Sequence, residues 1–338
     1  MPVTLSLQEV YELSRAALTA CGANEANAAS VARSIREAEA EGIRNVGLAY
    51  LPYYCDHVLC GKVDGQAEPQ LRQTAPAALL VDAKHGFAHA AYEVGEAALL
   101  SLARSQGLAA MGLANSYASG VIGYFADRIA RQGLIGLVFT NASASIAPWG
   151  GTQPLFGTNP VALGVPRAEA PPIIVDQSSS TTARVNVVQA AERGESIPDT
   201  WALDADGRPT TDPNEGLKGS IAPLGGYKGA GLALLVEVLA AGLVGANWSF
   251  QASPLGDNEG GPPNIGQLFI AIDSGLFGAE GFGDRLETLV AAIHAQDGTR
   301  LPGDGRHRAR RKAEAEGVSL DEALHARMMD YAEGAIFR

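Results

Sequence analysis

The sequence predicts an α/β fold on two observations. From residue 77 onward, short apolar runs of strand length alternate with longer stretches whose apolar residues recur at helical spacing. The chain of 338 residues is also 46% hydrophobic and 18% charged with 40 glycines, which suits a compact core and not a disordered chain.

Taken in order, Leu5 to Ala20 and Asn24 to Glu41 read as two helices with Ser6 and Asn24 as N-caps, and Gly42 ends the second. The turn Gly42 to Gly47 leads into a half-apolar helix, Leu48 to Leu59, which carries Tyr50, Tyr53 and Tyr54. Ala77 to Val81 reads as a strand ending at Asp82, and His85-Gly86 opens an amphipathic helix through about Arg104. A strand from Leu108 to Ala114 delivers the polar turn Asn115 to Gly120, followed by a helix from Val121 to Gln132 and a strand from Leu134 to Thr140.

The stretch from Ile146 to Asn186 organises the chain. Gly150, Gly151 and Gly157 let main-chain N–H groups approach a ligand, while Pro148, Pro154, Pro160 and Pro166 stiffen the loop. Pro172 to Val175 then reads as a buried strand ending at Asp176, with Gln177, Ser178 and further hydroxyl residues at its C-terminal end, where α/β sheets bind ligands. A structural Gly/Pro loop followed by a polar turn has the same residue types.

Further on, Gly194 to Asn214 is a turn-rich connection able to cover a pocket. Pro223 to Gly229 opens an apolar helix to Leu243, expected to be buried. Lys228 at its N-terminus faces an unfavourable dipole and calls for a compensating anion. Asn247 to Pro263 reads as a flexible loop near the pocket, Gly266 to Asp273 as a last strand, and Asp284 to Ala295 as a helix. The basic run Arg306 to Lys312 reads as a solvated helix face, and Ser319 caps a closing helix to Tyr331.

The net charge of -12 opposes nucleic-acid and anionic-membrane partners. Three cysteines and an N-terminus without an apolar leader suggest a reducing cytoplasm. No metal is expected: His85 and His89 are four apart, but no acidic cluster or paired cysteine accompanies them. No G-x-G-x-x-G follows a strand and opens a helix, so the spacing does not point to a Rossmann domain.

APWGG, GTNP, the IVD strand, PLGGYKGAGLAL and LPGD, in this order, resemble the type-2 malate/L-lactate dehydrogenase family of NAD(P)-dependent oxidoreductases. The resemblance implies that family's non-Rossmann fold: a central mixed sheet with flanking helices, and an N- and C-terminal helical portion. It gives a helical domain from 1–75 with 275–338 and an α/β domain from 76–274. It also implies a homodimer with the pocket near the subunit interface.

The implied chemistry is hydride transfer from NAD or NADP, the choice left open, to a small carboxylate substrate, either a 2-oxo acid or a cyclic imino acid. Cofactor positions by resemblance are His89, Ser119, Gly120, Thr140, Asn141, Thr158, Asn159, Asp176, Gln177, Ser178, Arg184, Tyr227, Lys228, Pro302, Gly303 and Asp304. Substrate positions are Asn45, Val46, Tyr50, Tyr117, Trp149 and Asn186. The chain departs from the family where chemistry is expected. Asn45-Val46-Gly47 stands for Ser-His-Gly, Tyr50 for an arginine, Tyr117 or Ala118 for a histidine, and Asn186 for an aspartate. Tyr117, then Tyr50, become the candidate proton donors, with Lys228 expected to lower a phenol's pKa. Loss of catalysis, leaving a cofactor-binding sensor or subunit, is the alternative.

Overall fold

The computed structural model describes residues 2–278 and 281–335. After β1 (Val3–Leu5), Ser6 caps α1 (Leu7–Ala20) through a capping box: its hydroxyl accepts the Glu9 N–H at 3.2 Å and the Glu9 carboxylate accepts the Ser6 N–H at 2.7 Å. Asn24 caps α2 (Glu25–Ala40), as its side chain predicts. The tyrosine-bearing helix begins as a 3-10 turn, Leu48–Tyr50, before α3 (Leu51–Leu59), with Pro52 in the first turn where a missing N–H costs nothing.

The sheet region follows with β2 (Gln70–Ala75), β3 (Ala78–Asp82), α4 (Ala88–Gln106), β4 (Leu108–Ser116), α5 (Gly123–Arg131), β5 (Ile135–Thr140), β6 (Val161–Val165) and β7 (Ile173–Gln177). Next come α6 (Arg184–Arg193), a small sheet of β8 (Ala202–Leu203), β9 (Pro209–Thr210) and β10 (Ser220–Ile221) around α7 (Pro213–Lys218), then α8 (Tyr227–Val236) and β11 (Ile265–Ile272). The chain ends with α9 (Phe282–His294), α10 (Asp304–Glu316), β12 (Val318–Leu320) and α11 (Glu322–Ala332).

Seven strands form the central sheet in the order β2-β3-β4-β11-β5-β6-β7. Only β3 and β4 run parallel, joined by the α4 crossover, so the sheet is mixed. The main core packs α4 and α5 on it through Tyr92, Leu99, Phe125 and Ile129, with Met111, Val138 and Phe269 from the strands.

A second core lies in the helical layer, where Val10, Leu18, Ile35, Leu51, Tyr54, Met328 and Tyr331 meet. Each such buried side chain contributes about 1.5–3 kcal/mol relative to exposure. The two ends of the chain close this layer, because β1 pairs antiparallel with β12, Val3 opposite Leu320. That pairing takes Ser319 into a strand and leaves Asp321 to cap α11.

The basic run on α10 is not simply a solvated face. Arg306 pairs with Glu41 at 3.2 Å and Asp176 at 2.9 Å, and Arg310 with Glu37 at 2.6 Å and Glu41 at 3.0 Å. These pairs tie α10 to α2 and to the sheet's edge strand. Nor is the apolar helix fully buried: Leu234, Leu235, Val238 and Leu243 are about half exposed or more.

Beyond α8 the helix widens to π geometry over Glu237–Gly242, and the buried Glu237 accepts the Ser249 N–H at 2.5 Å, the Ser249 hydroxyl at 2.6 Å and Asn159 Nδ2 at 2.6 Å. Gly266 is needed beneath it, since a Cβ there would lie 1.9 Å from the Ala240 carbonyl.

Candidate active site

The sequence pattern on α3 sets the site. Tyr50, Tyr53, Tyr54 and His57 recur at helical spacing, so their rings gather on one face, and the end of β4 brings Tyr117 against them. His57 and Tyr117 are fully buried, and His57 Nδ1 is hydrogen-bonded to the Tyr117 hydroxyl. On its other side His57 Nε2 lies 2.9 Å from the main-chain carbonyl of Asp257. A carbonyl only accepts, so Nε2 carries the proton and Nδ1 takes the Tyr117 O–H.

Tyr50 lies against Tyr54 at the edge of this pair. Its hydroxyl donates to the Leu255 carbonyl at 3.3 Å. Burial pushes the Tyr50 phenol up to about 12 and the Tyr117 phenol well above its usual value, where Tyr50 and Tyr54 add to the effect. Burial also lowers the His57 pKa; Lys62 adds to this, while the Asp257 main chain, Asp56 and the Asp257 carboxylate oppose it. Lys228 lies exposed at the start of α8, and no hydrogen bond joins it to Tyr117 among the described residues. The cation beside the relay is Lys62.

The other expected residues fall into three places. Asn45 is exposed and Val46 half-buried, on a 3-10 turn that Glu39 anchors by accepting the Leu48 N–H at 2.7 Å. Thr140, Asn141 and Asn159 are buried beneath the sheet end: Thr140 meets Gln267 at 3.2 Å, Asn141 Nδ2 meets the Asn247 carbonyl at 2.9 Å, and Asn159 meets Glu237. Asp176 accepts from Arg306 and from the Gly123 N–H at 3.0 Å, and Pro302 accepts the Ile174 N–H at 3.3 Å. Gly303 sits against Ile174, and Asp304 folds back on the Leu301 N–H at 3.0 Å, so the LPGD turn braces β7.

The segment after β7 is bridged to the start of α8. Ser180 pairs with Pro223, the Leu224 N–H donates to the Ser179 carbonyl at 2.8 Å, and Ser178 donates to the Thr158 carbonyl at 3.0 Å. Two helices begin from this bridge, α6 at Arg184 and α8 at Tyr227. Neither has an acidic residue in its first turn or a side-chain cap. Arg184 and Lys228 are exposed and without an ion pair among the described residues. Trp149 and Tyr227 stand at the α8 start, ring centroids 6.3 Å apart, and Gln177 is exposed at the end of β7. Asn186 donates to Thr182 Oγ1 at 2.9 Å.

His89 is buried on the first turn of α4, near the left-handed Gly120 and the buried Ser119, and neither ring nitrogen makes a well-formed hydrogen bond. Burial, with Arg128 and Arg33 adding to it and the Ser119 main chain opposing it, pushes its pKa down to about 3. Between pH 6.5 and that value the unfolded chain binds a proton that the folded chain does not, so folding stability falls as pH falls. The expected contribution is about 1.4 kcal/mol per pH unit. Denaturant titrations of His89→Phe against the unmodified chain from pH 4 to 7 should show a shallower acid decline; parallel curves would refute it.

Sequence reasoning missed His57 and Lys62, which no motif marks. The three tyrosines with His57 at positions i, i+3, i+4 and i+7 were the available signal for the first.

The relatives agree with this architecture. The sequence pattern described as malate/L-lactate dehydrogenase matches residues 5–329. A (2R)-3-sulfolactate dehydrogenase (NADP(+)) of Chromohalobacter salexigens is 42% identical over 97% of this chain and 98% of its own. A Delta(1)-pyrroline-2-carboxylate reductase of Ancylobacter novellus is 41% identical over 97% of each. The crystal structure of delta1-piperideine-2-carboxylate reductase from Pseudomonas syringae superposes with a TM-score of 0.93 at 34% identity, over 97% of this chain and 99% of that one. With a match from β1 to α11 and a shared mixed sheet, the chain belongs to the malate/L-lactate dehydrogenase family.

Proposed function

We propose that this chain is an NAD(P)H-dependent reductase of small 2-oxo carboxylates, reversible as a 2-hydroxy acid dehydrogenase, with His57 and Tyr117 moving the proton. The carrying observation is the buried Asp257–His57–Tyr117 relay. The paired helix starts at Arg184 and Lys228 fit the cofactor's phosphates, since uncapped N–H groups and unpaired cations both favour an anion. Thr158, Ser178 and Tyr227 border that place. A nicotinamide dinucleotide anchored by these residues would supply or accept the hydride.

The chain's own residues handle the rest. In the arrangement seen, neutral His57 is ready to draw a substrate hydroxyl proton through Tyr117. In the reducing direction the imidazolium returns it through Tyr117 to the oxygen that develops negative charge. A depressed His57 pKa makes that imidazolium a strong donor. Lys62 beside the relay favours a developing alkoxide over an iminium cation, and Asn186 in place of the family's aspartate removes one counter-charge for the latter. Names of relatives such as the 41% identical pyrroline-2-carboxylate reductase favour cyclic imino acids as the second reading.

The apolar face of α8 supports a homodimer. Tyr227, Leu234 and Leu235, with Val238 on the π turn that follows, are exposed along one side of it, and a contiguous exposed apolar stripe marks an interaction surface. NADH and NADPH oxidation against panels of 2-oxo acids and cyclic imino acids, with sedimentation of the same sample, tests these statements. Turnover on 2-oxo acids by a two-chain particle is expected; turnover on imino acids alone would exchange the two substrate readings. Tight cofactor binding without turnover would make the chain a sensor or subunit.

A further inference from the structure

Lys62 is the most enclosed cation of the described chain, its side chain wholly shielded from solvent. Its ammonium donates to the main-chain carbonyls of Pro254 and Asp257, each at 2.6 Å, and stands 3.6 Å from the Asp257 carboxylate. A buried ammonium is costly unless its donors are taken up, and here loop carbonyls take up two. The Asp257 carbonyl is the same atom that accepts from His57 Nε2. Tyr50 reaches the Leu255 carbonyl between them. Three side chains of the helical layer therefore hold one short segment through its main chain.

We propose that Lys62 is a positioning residue for the reaction: by fixing the Asp257 carbonyl it sets His57 in the Nε2–H tautomer and leaves Nδ1 to exchange a proton with Tyr117. The inference rests on the proposed His57–Tyr117 relay for its catalytic meaning. Without Lys62 the segment loses two of its four side-chain bonds, including the one that locates the shared carbonyl. The imidazole could then turn over or take up the other proton arrangement. Removing the cation also eases protonation of His57. The titratable groups facing His57 are Tyr53, Asp56 and Cys60 on or at the end of α3, Lys62 beyond it, Tyr117 from β4 and Asp257 from the loop. Of these only Lys62 is a cation.

The test is nitrogen-15 NMR of the histidine side chains in the full chain, combined with pH profiles of kcat/KM. In the unmodified protein His57 is expected as the single Nε2–H tautomer; an Nδ1–H tautomer there would overturn the proposal before any variant is made. In Lys62→Met the expected result is a mixture of tautomers, an acid limb of 2-hydroxy acid oxidation moved up by about one pH unit, and kcat lowered about tenfold with KM for the cofactor unchanged. Lys62→Gln should move the tautomer and the limb in the same direction by less, and serves if the methionine variant does not fold. An unchanged tautomer and unchanged limb in a folded variant would make Lys62 purely structural. The NMR readout needs no turnover, so absence of activity on every substrate would refute the functional reading while leaving Lys62's control of the tautomer still measurable.

Discussion

Replacing His57 by glutamine is expected to lower kcat for 2-oxo acid reduction by about 10²–10⁴-fold, the range for loss of a positioned acid–base group. Glutamine fills similar space and can still donate to the Asp257 carbonyl, but it cannot carry a proton to Tyr117. Tyr117→Phe should cost a similar factor, because it cuts the same relay one atom further on. The double variant should be little worse than either alone, since residues acting as a unit are not additive. KM for the nicotinamide cofactor should stay unchanged in all three if Arg184 and Lys228 hold its phosphates. Steady-state kinetics on the folded variants decide this. A His57→Gln chain within twofold of the original would remove the relay from the mechanism. Imine turnover surviving while ketone turnover collapses would show hydride transfer proceeding without it.

Glu237→Ala should be strongly destabilising. The carboxylate accepts from the Ser249 N–H, the Ser249 hydroxyl and Asn159 Nδ2, and all three residues are buried. Alanine leaves these donors unpaired and a cavity beside them. At roughly 1–3 kcal/mol per orphaned group, partly offset by Asn159's remaining bond to Ala233, the expected loss is about 3–5 kcal/mol. The damage should also reach the proposed cofactor site, because Asn159 sits in the left-handed region at φ 38° and its neighbour Thr158 is one of the residues proposed to border that site. Chemical denaturation checks the stability, and fluorescence titration with NADPH checks the weaker binding. A loss under about 1 kcal/mol would mean that water replaces the carboxylate.

Much of the architecture could be read from periodicity. The caps Ser6 and Asn24, the β3–α4–β4 unit and the strand β11 follow from local rules that the tertiary structure does not override, although β12, formed by pairing with β1, follows β11 where no further strand is read. The misses have local causes. The helix α6 begins just past a run of serines and threonines, whose side chains compete for main-chain groups, so the segment reads as a turn. The strand β6 hides behind Pro160 and contains Gly164, which admits the Ala126 carbonyl of α5 at a distance no side chain tolerates. Ser319 reads as a helix cap only until its strand pairing with Thr4, some three hundred residues earlier, is known.

The candidate site was legible only in part. Tyr117 and Tyr50 stood out because they occupy positions where the family carries other groups. His57 did not, since a single histidine on a half-apolar helix is ordinary until the fold places Tyr117 and Asp257 on its two nitrogens, 60 and 200 residues away. Lys62 was invisible for the same reason. Its partners are carbonyl oxygens of a loop, and main-chain atoms leave no trace in residue identity.

The way the chain's two ends close the helical layer bears on the order in which a ribosome can deliver a working molecule. The sheet draws all its strands from residues 70–272, so it can assemble while synthesis continues. The helix holding His57 must wait. Its neighbour Asp56 accepts the Tyr331 hydroxyl at 2.5 Å and Arg327 at 3.3 Å, both from the last helix made. Nascent chains halted before residue 322 would thus carry a finished sheet beside a His57 helix still lacking its brace from Arg327 and Tyr331.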